Sequence, residues 1–170
     1  MLTKEMENAL NDQLNAESYS AYLYLSMSAY FRTKNLDGFA NWMYAQAQEE
    51  VFHASKFYDF IIQRGGRILL QKIEAPPTDW ESPLTVFQDT LEHEQKVTGL
   101  IHNLVDLAQQ TKDHASNIFL QWFVTEQVEE EENAGSVLEK LKLLEDTSGG
   151  LFILDQELSK RTFNKESSDQ

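Results

Sequence analysis

Apolar residues recur along most of the chain at steps of three and four, the spacing that keeps them on one face of an α-helix. Four such stripes can be followed. The first runs through Met6, Leu10, Leu14, Glu17, Ala21, Tyr24, Ser28 and Phe31, and the second through Phe39, Met43, Gln46, Glu50, His53, Phe57 and Phe60. The third takes Leu84, Phe87, Leu91, Glu94, Thr98, Ile101, Val105 and Ala108, and the fourth Phe119, Phe123, Gln127, Glu130, Ala134, Val137, Leu141 and Leu144. Punctuation sets their limits. Thr3 can cap the first helix, Asn35-Leu36-Asp37-Gly38 reads as a tight turn, and Gly65-Gly66 stops the second helix. Ser82 before Pro83 is a cap followed by a first-turn proline, and Ser148-Gly149-Gly150 punctuates again. Helices are therefore predicted over about 3–33, 37–64, 83–112 and 114–146, with a short amphipathic helix over 150–161. The polar tail, residues 162–170, is expected to fray.

The connections set the topology. Helices of about 30 residues, each roughly 45 Å long, imply a bundle. Short loops make the first two helices one antiparallel hairpin and the third and fourth another. Residues 65–82 carry Pro76-Pro77, break the periodicity, and when extended could span roughly 59 Å, enough to traverse the bundle lengthwise. Helices two and three would then be parallel. The expectation is one all-α domain over 1–170: a four-helix bundle with one long crossover and a short fifth helix.

Composition narrows the function. The 170 residues include 28 acidic and 14 basic side chains, for a formal charge of −14. That balance argues against nucleic-acid binding and favours cations as partners. With no cysteine, thiol catalysis, iron–sulfur clusters and zinc ribbons are excluded. No apolar run approaches the roughly 20 residues of a membrane span, and the first residues lack a signal peptide's apolar region. A soluble, cytoplasmic protein with no membrane partner is expected.

Every stripe is interrupted by glutamate, in two cases with Gln and in one with His. A single polar seam residue can fix register or face solvent. Glu17, Glu50, Glu94 and Glu130 instead fall where they could meet in one layer, and no Lys or Arg shares the seams. Buried ionised carboxylates without a partner cost several kcal/mol each and repel one another. Two divalent cations would neutralise four of them; protonation with raised pKa values is the other solution. Oxygen ligands with one imidazole and no sulfur suit iron or manganese, and zinc less selectively. The i, i+3 spacing of Glu50 and His53 projects both side chains toward one metal.

At this point the chain resembles the ferritin family, and most closely the bacterial non-haem ferritins, over essentially residues 1–165. The resemblance rests on Asn15-Ala16-Glu17 with Tyr24, Glu49-Glu50-x-x-His53, Glu94, and Trp122 with Glu126-Gln127-x-Glu129-Glu130. It implies that Glu17, Glu50 and His53 hold a first iron, with Glu50 bridging to a second held by Glu94 and Glu130. Gln127 would order the ligand on the oxygen side. Glu49, Glu126, Glu129 and Glu130 resemble a third iron site, and Tyr24 the site tyrosine proposed to donate an electron or protect against radicals. The implied function is iron storage and detoxification by a ferroxidase. Two Fe(II) ions would pass electrons to O2 or H2O2, and ferric oxide-hydroxide would collect inside a homo-oligomeric shell of 24 subunits.

Departures sharpen the resemblance. Bacterioferritins carry a second Glu-x-x-His, where this chain has Gln127 and Glu130, and a haem-ligating methionine where it has Val51, so no haem is expected. Animal ferritins place channel carboxylates at the positions of Asn117 and Leu120. A glutamine in place of the second histidine is expected to weaken the second iron and favour its release. A diiron peroxidase of rubrerythrin type, a DNA-protecting mini-ferritin and a metal-free helical interaction module are the alternatives. The first usually adds a Cys-rich domain. The second places its ligands between subunits, and the third predicts that leucines at the seam glutamates would stabilise the protein.

Other features are read more plainly. Glu131 and Glu132 are expected on a solvated face, and His93, His102 and His114 on the surface. Trp122 suits core packing at least as well as redox work. Gly99 and Gly135 within helices suggest close backbone contact or a bend. Leu151, Leu154 and Leu158 give the short helix more apolar surface than one bundle can cover. In the resembling family that helix packs around the four-fold axes of the shell.

Overall fold

Thr3 opens the first helix as its position predicts, its hydroxyl accepting from the Met6 amide at 3.2 Å. The protein, described here as a computed structural model covering residues 2–144 and 149–163, is built from five helices and, among the described residues, no strands. They are α1 (Lys4–Thr33), α2 (Asp37–Gln63), α3 (Pro83–Gln110), α4 (His114–Leu144) and α5 (Gly150–Leu158). The predicted residues 145 and 146 of the fourth helix, Ser148 of the punctuation, and tail residues 164–170 lie outside those described. None of the described helices is long and apolar enough to cross a membrane.

The helix ends have local causes. Asn35 takes φ 57° between α1 and α2. Pro83 occupies the first turn of α3, and the Ser82 hydroxyl accepts from the Thr85 amide at 3.2 Å. Helix α3 stops at Gln110 rather than 112, because Lys112 turns to φ 55° and Asp113 then takes the Ser116 amide at 3.1 Å as a cap for α4. Arg64 ties the same Asp113 to the end of α2 at 3.0 Å.

The crossover can be traced by its hydrogen bonds to α1. Asn11 donates to the Arg67 carbonyl at 3.0 Å and accepts from the Leu69 amide at 2.7 Å. Farther along, Ser26 donates to the Pro77 carbonyl, and Trp80 packs edge-on against Tyr30 at 5.4 Å. The segment thus runs the length of α1 from its start to its end, which makes α2 and α3 parallel. Helix α1 packs along α2, α3 along α4, and α1 against α3.

All four predicted seams face inward, and the core they form is interrupted. One apolar cluster includes Tyr24, Phe31, Phe39, Met43 and Phe87; the other includes Met6, Leu10, Phe57, Ile101 and Phe123. Polar seam residues lie between them.

Helix α5 docks on the start of α2, and here a glycine is required. Helix α2 has no side-chain cap of its own, since Leu36 stands at the cap position. Asp155 of α5 supplies it, Oδ1 accepting from the amides of Gly38 (2.8 Å) and Phe39 (3.1 Å). A Cβ on Gly38 would sit 1.6 Å from the Asp155 carbonyl oxygen. At Gly99 and Gly135, by contrast, a Cβ would meet nothing within 4 Å, so the close contact expected there is absent among the described residues. Helix α5 ends at Leu158, short of the predicted 161, because the Asn41 amide captures the carbonyls of Ser159 and Arg161 (3.2 and 2.9 Å). Leu154 and Leu158 are buried, whereas Phe152 and Ile153 remain about 70% exposed.

Asp155→Ala is expected to lower unfolding stability by about 1 kcal/mol through loss of the cap. Gly38→Ala should cost more, because it separates α5 from α2. Denaturant midpoints at one protein concentration check both, and equal midpoints for wild type and Asp155→Ala would refute the capping role.

Candidate metal centre

Seven polar side chains form the layer between the apolar clusters: Glu17, Gln46, Glu50, His53, Glu94, Gln127 and Glu130, none more than 3% exposed. No Lys or Arg is buried among the described residues. Helix α1 carries Glu17, and α2 carries Glu50 and His53 one turn apart. Ligand atoms of these three lie within 4.8 Å of one another. His53 Nδ1 stands 3.3 Å from Glu50 Oε2. Gln13 donates to Glu17 Oε1 at 2.9 Å, while Glu17 Oε2 and His53 Nε2 are buried with no hydrogen-bond partner. Buried polar atoms without partners are unfavourable unless something else satisfies them.

The other half of the layer is held by neutral donors. Helix α3 carries Glu94, and α4 carries Gln127 and Glu130. Tyr24 donates its phenol proton to Glu94 Oε1. The Gln127 amide reaches Glu94 Oε2 at 3.3 Å and Thr98 Oγ1 at 3.2 Å. Gln46 donates to Glu130 Oε2 at 2.6 Å and to Glu50 Oε1 at 3.3 Å. Gln46 therefore links Glu50 of one half to Glu130 of the other.

Electrostatics follow from burial. Desolvation first, then the neighbouring Glu50 charge, pushes the Glu17 pKa well above the usual carboxylate range. Desolvation and the Glu94 charge do the same to Glu50 and Glu130. Burial also raises Glu94, but hydrogen bonds from Tyr24 and Gln127 oppose it. The Tyr24 phenol is driven up by burial and the adjacent Glu94.

A second group adjoins the first. Ligand atoms of Glu49, His53 and Glu126 also converge within 4.8 Å, so His53 belongs to both groups. Glu129 is exposed one turn after Glu126 and outside both groups, and Glu130 points into the buried layer. Trp122 is half-buried, edge-on to His53 at 5.5 Å and to Phe123 at 4.8 Å, beneath the Lys56 amine at 4.3 Å.

Two surface expectations are corrected. His93 is half-buried, 2.8 Å from Ser20 Oγ and in ring contact with Tyr19 and Tyr24; desolvation, then the Lys96 charge, takes its pKa down to about 4. Glu131 is also half-buried, accepting from Thr98 Oγ1 at 2.6 Å. His102, His114 and Glu132 are exposed as expected. Sequence reasoning missed Gln13 and placed Gln46 on its seam without a role. Gln13 and Gln46 each precede a buried glutamate by four residues, the spacing at which a Gln can steady a carboxylate on its own helix.

Comparison with known proteins identifies the fold and its family. A ferritin-like domain model matches residues 7–144. The bacterial non-heme ferritin of Bacteroides fragilis is 45% identical over 161 residues, spanning 95% of this chain and 100% of that protein. That of Staphylococcus aureus is 42% identical over 166 residues, spanning 98% and 100%. Among solved structures, an open pore ferritin from the archaeon Archaeoglobus fulgidus superposes with a TM-score of 0.94 at 52% identity, covering 95% of this chain and 100% of that one. An engineered closed form of the same ferritin gives 0.95 at 52% identity, covering 96% and 100%. With a crossed-over helical bundle wrapped around a layer of carboxylates, and relatives that match it nearly end to end, the chain belongs to the ferritin family.

Proposed function

We propose that the protein is a ferroxidase that oxidises Fe(II) at a two-iron site within one subunit and stores the ferric product inside a shell of 24 copies in the cytoplasm. The observation that carries this reading is the convergence of Glu17, Glu50 and His53, two of which keep a buried polar atom without a hydrogen-bond partner, in a layer holding no Lys or Arg. One Fe(II) would take these three residues. A second would take Glu50, Glu94 and Glu130 after displacing the amide and phenol donors that hold them. Each iron gives up one electron, and O2 takes both with two protons to become H2O2. With H2O2 as oxidant, two electrons and two protons give two waters. Gln127 orders Glu94, Tyr24 stands in contact with Glu94 as a near electron donor, and Glu49, Glu126 and Glu129 receive iron beside the pair.

The halves are unequal, and that supports passage rather than retention of iron. The first set keeps Glu17 Oε2 and His53 Nε2 without partners, while the second is already satisfied by Gln46, Gln127 and Tyr24. Exposed Leu143, Phe152 and Ile153 beside α5 support packing against further copies.

Aerobic loading of apoprotein with excess Fe(II), followed by size-exclusion chromatography recording iron and protein together, tests the proposal. Iron far beyond two atoms per chain should co-elute with a species of roughly half a megadalton, as expected for 24 chains of 19.6 kDa. Two irons per chain on a small species would instead indicate a diiron enzyme without storage, and no retained iron would remove the metal reading. Glu50→Ala is expected to slow initial oxidation at least tenfold, because it removes the shared ligand. Gln127→His should hold the second iron longer and slow transfer to the mineral; unchanged mineralisation would contradict the release role.

Raised carboxylate pKa values also fix a pH dependence. The native state holds protons that the unfolded chain releases above its ordinary value of 4.5, so their stabilisation is complete below that pH and is lost as pH rises. Apoprotein stability should fall between pH 5 and 8, and more steeply in wild type than in a Glu17→Gln/Glu130→Gln variant at the same ionic strength. Parallel curves from denaturant titrations would show that the layer is not the source.

A further inference from the structure

Beyond α5 the backbone turns back along α2. Asn41 holds the carbonyls of Ser159 and Arg161, and the Phe163 ring lies 5.8 Å from that of Phe52. Between them the Arg161 guanidinium lies over Trp42, 4.1 Å from its ring centre, and Nη2 donates to Glu49 Oε2 at 2.9 Å. Nη1 is buried without a hydrogen-bond partner. Both side chains of the ion pair are only 18% exposed. Glu49 is the carboxylate that also converges with Glu126 and His53, whose Nε2 has no hydrogen-bond partner. A permanently charged group, oriented by a stacked indole and a side-chain amide, is thus held on the carboxylate that a cation in this group would use.

We propose that Arg161 is a tethered competitor for the cation group of Glu49, His53 and Glu126. While the guanidinium sits on Glu49, an arriving ion finds Glu126 and His53 but must share the Glu49 carboxylate with Arg161 or displace it. Seating of the C-terminal segment and filling of the group then oppose each other. By linkage, whatever presses residues 159–163 onto α2 weakens the group, and a bound cation loosens the segment to the same extent. The device keeps ions moving past Glu49 instead of settling there. It rests on the metal reading of the adjoining buried layer.

The test is an anaerobic calorimetric titration of full-length apoprotein with Zn(II), a redox-inert probe. Wild type is expected to show a tight class of sites from the buried layer and a weaker class from the Glu49 group. Arg161→Gln should strengthen the weaker class by about fivefold, the size of a partly screened ion pair, and leave the tight class unchanged. Arg161→Lys should lie between. Asn41→Ala frees the segment without touching a ligand or the guanidinium and should also strengthen the weaker class. A weaker class unchanged in both Arg161→Gln and Asn41→Ala overturns the competitor role. One that weakens further in Arg161→Gln also overturns it, because Arg161 would then be positioning Glu49 as a ligand. Absence of the tight class from wild type overturns the buried-layer reading on which the proposal rests, a result separate from either of these.

Discussion

Four carboxylates share a buried layer with no Lys or Arg, and the rest of the molecule is arranged around that constraint. Water must be kept out on both sides, which the two apolar clusters accomplish by capping the layer above and below. Helices of about seven or eight turns are needed to carry a cluster at each end and the polar layer between. The carboxyl groups are steadied by side chains that add no positive charge: Gln13, Gln46, Gln127 and the Tyr24 phenol. A lysine would satisfy Coulomb's law permanently and leave no vacancy for a metal.

The two helical hairpins divide the site between them. Helices α1 and α2 contribute Glu17, Glu50 and His53; α3 and α4 contribute Glu94, Gln127 and Glu130. Only when the hairpins close on each other does Glu50 come to share a partner with Glu130, through Gln46. The crossover governs that closure. Lying along α1 and pinned at Asn11, Ser26 and Trp80, it returns the chain to the end where α3 must begin. Parallel α2 and α3 then bring their mid-helix glutamates to one level.

What could be read in the sequence was what repeats along a helix. The seams, and the glutamates that interrupt them, obey the period of the α-helix, so Glu17, Glu50, Glu94 and Glu130 were visible as one layer before any coordinates. Helix starts at Thr3 and Ser82 were equally local. Contacts between distant segments were not legible. Nothing near Leu36 announces that Asp155 will cap α2, and nothing near Glu49 announces Arg161. His93 was misjudged because it lies off the seam of α3, yet α1 brings Ser20 and Tyr24 against it. Glu131 was misjudged for a similar reason. A run of four glutamates reads as a wet surface, but a neighbouring helix supplies the Thr98 hydroxyl.

The cap that Asp155 provides has a consequence for how the protein is made. The first turn of α2 forms early in synthesis, but its Gly38 and Phe39 amides stay without their carboxylate until a residue more than a hundred positions later has been added. The hairpin that carries Glu17, Glu50 and His53 therefore leaves the ribosome unfinished and is completed by α5. Chains cut short before α5 would keep every proposed iron ligand and still lack this closure.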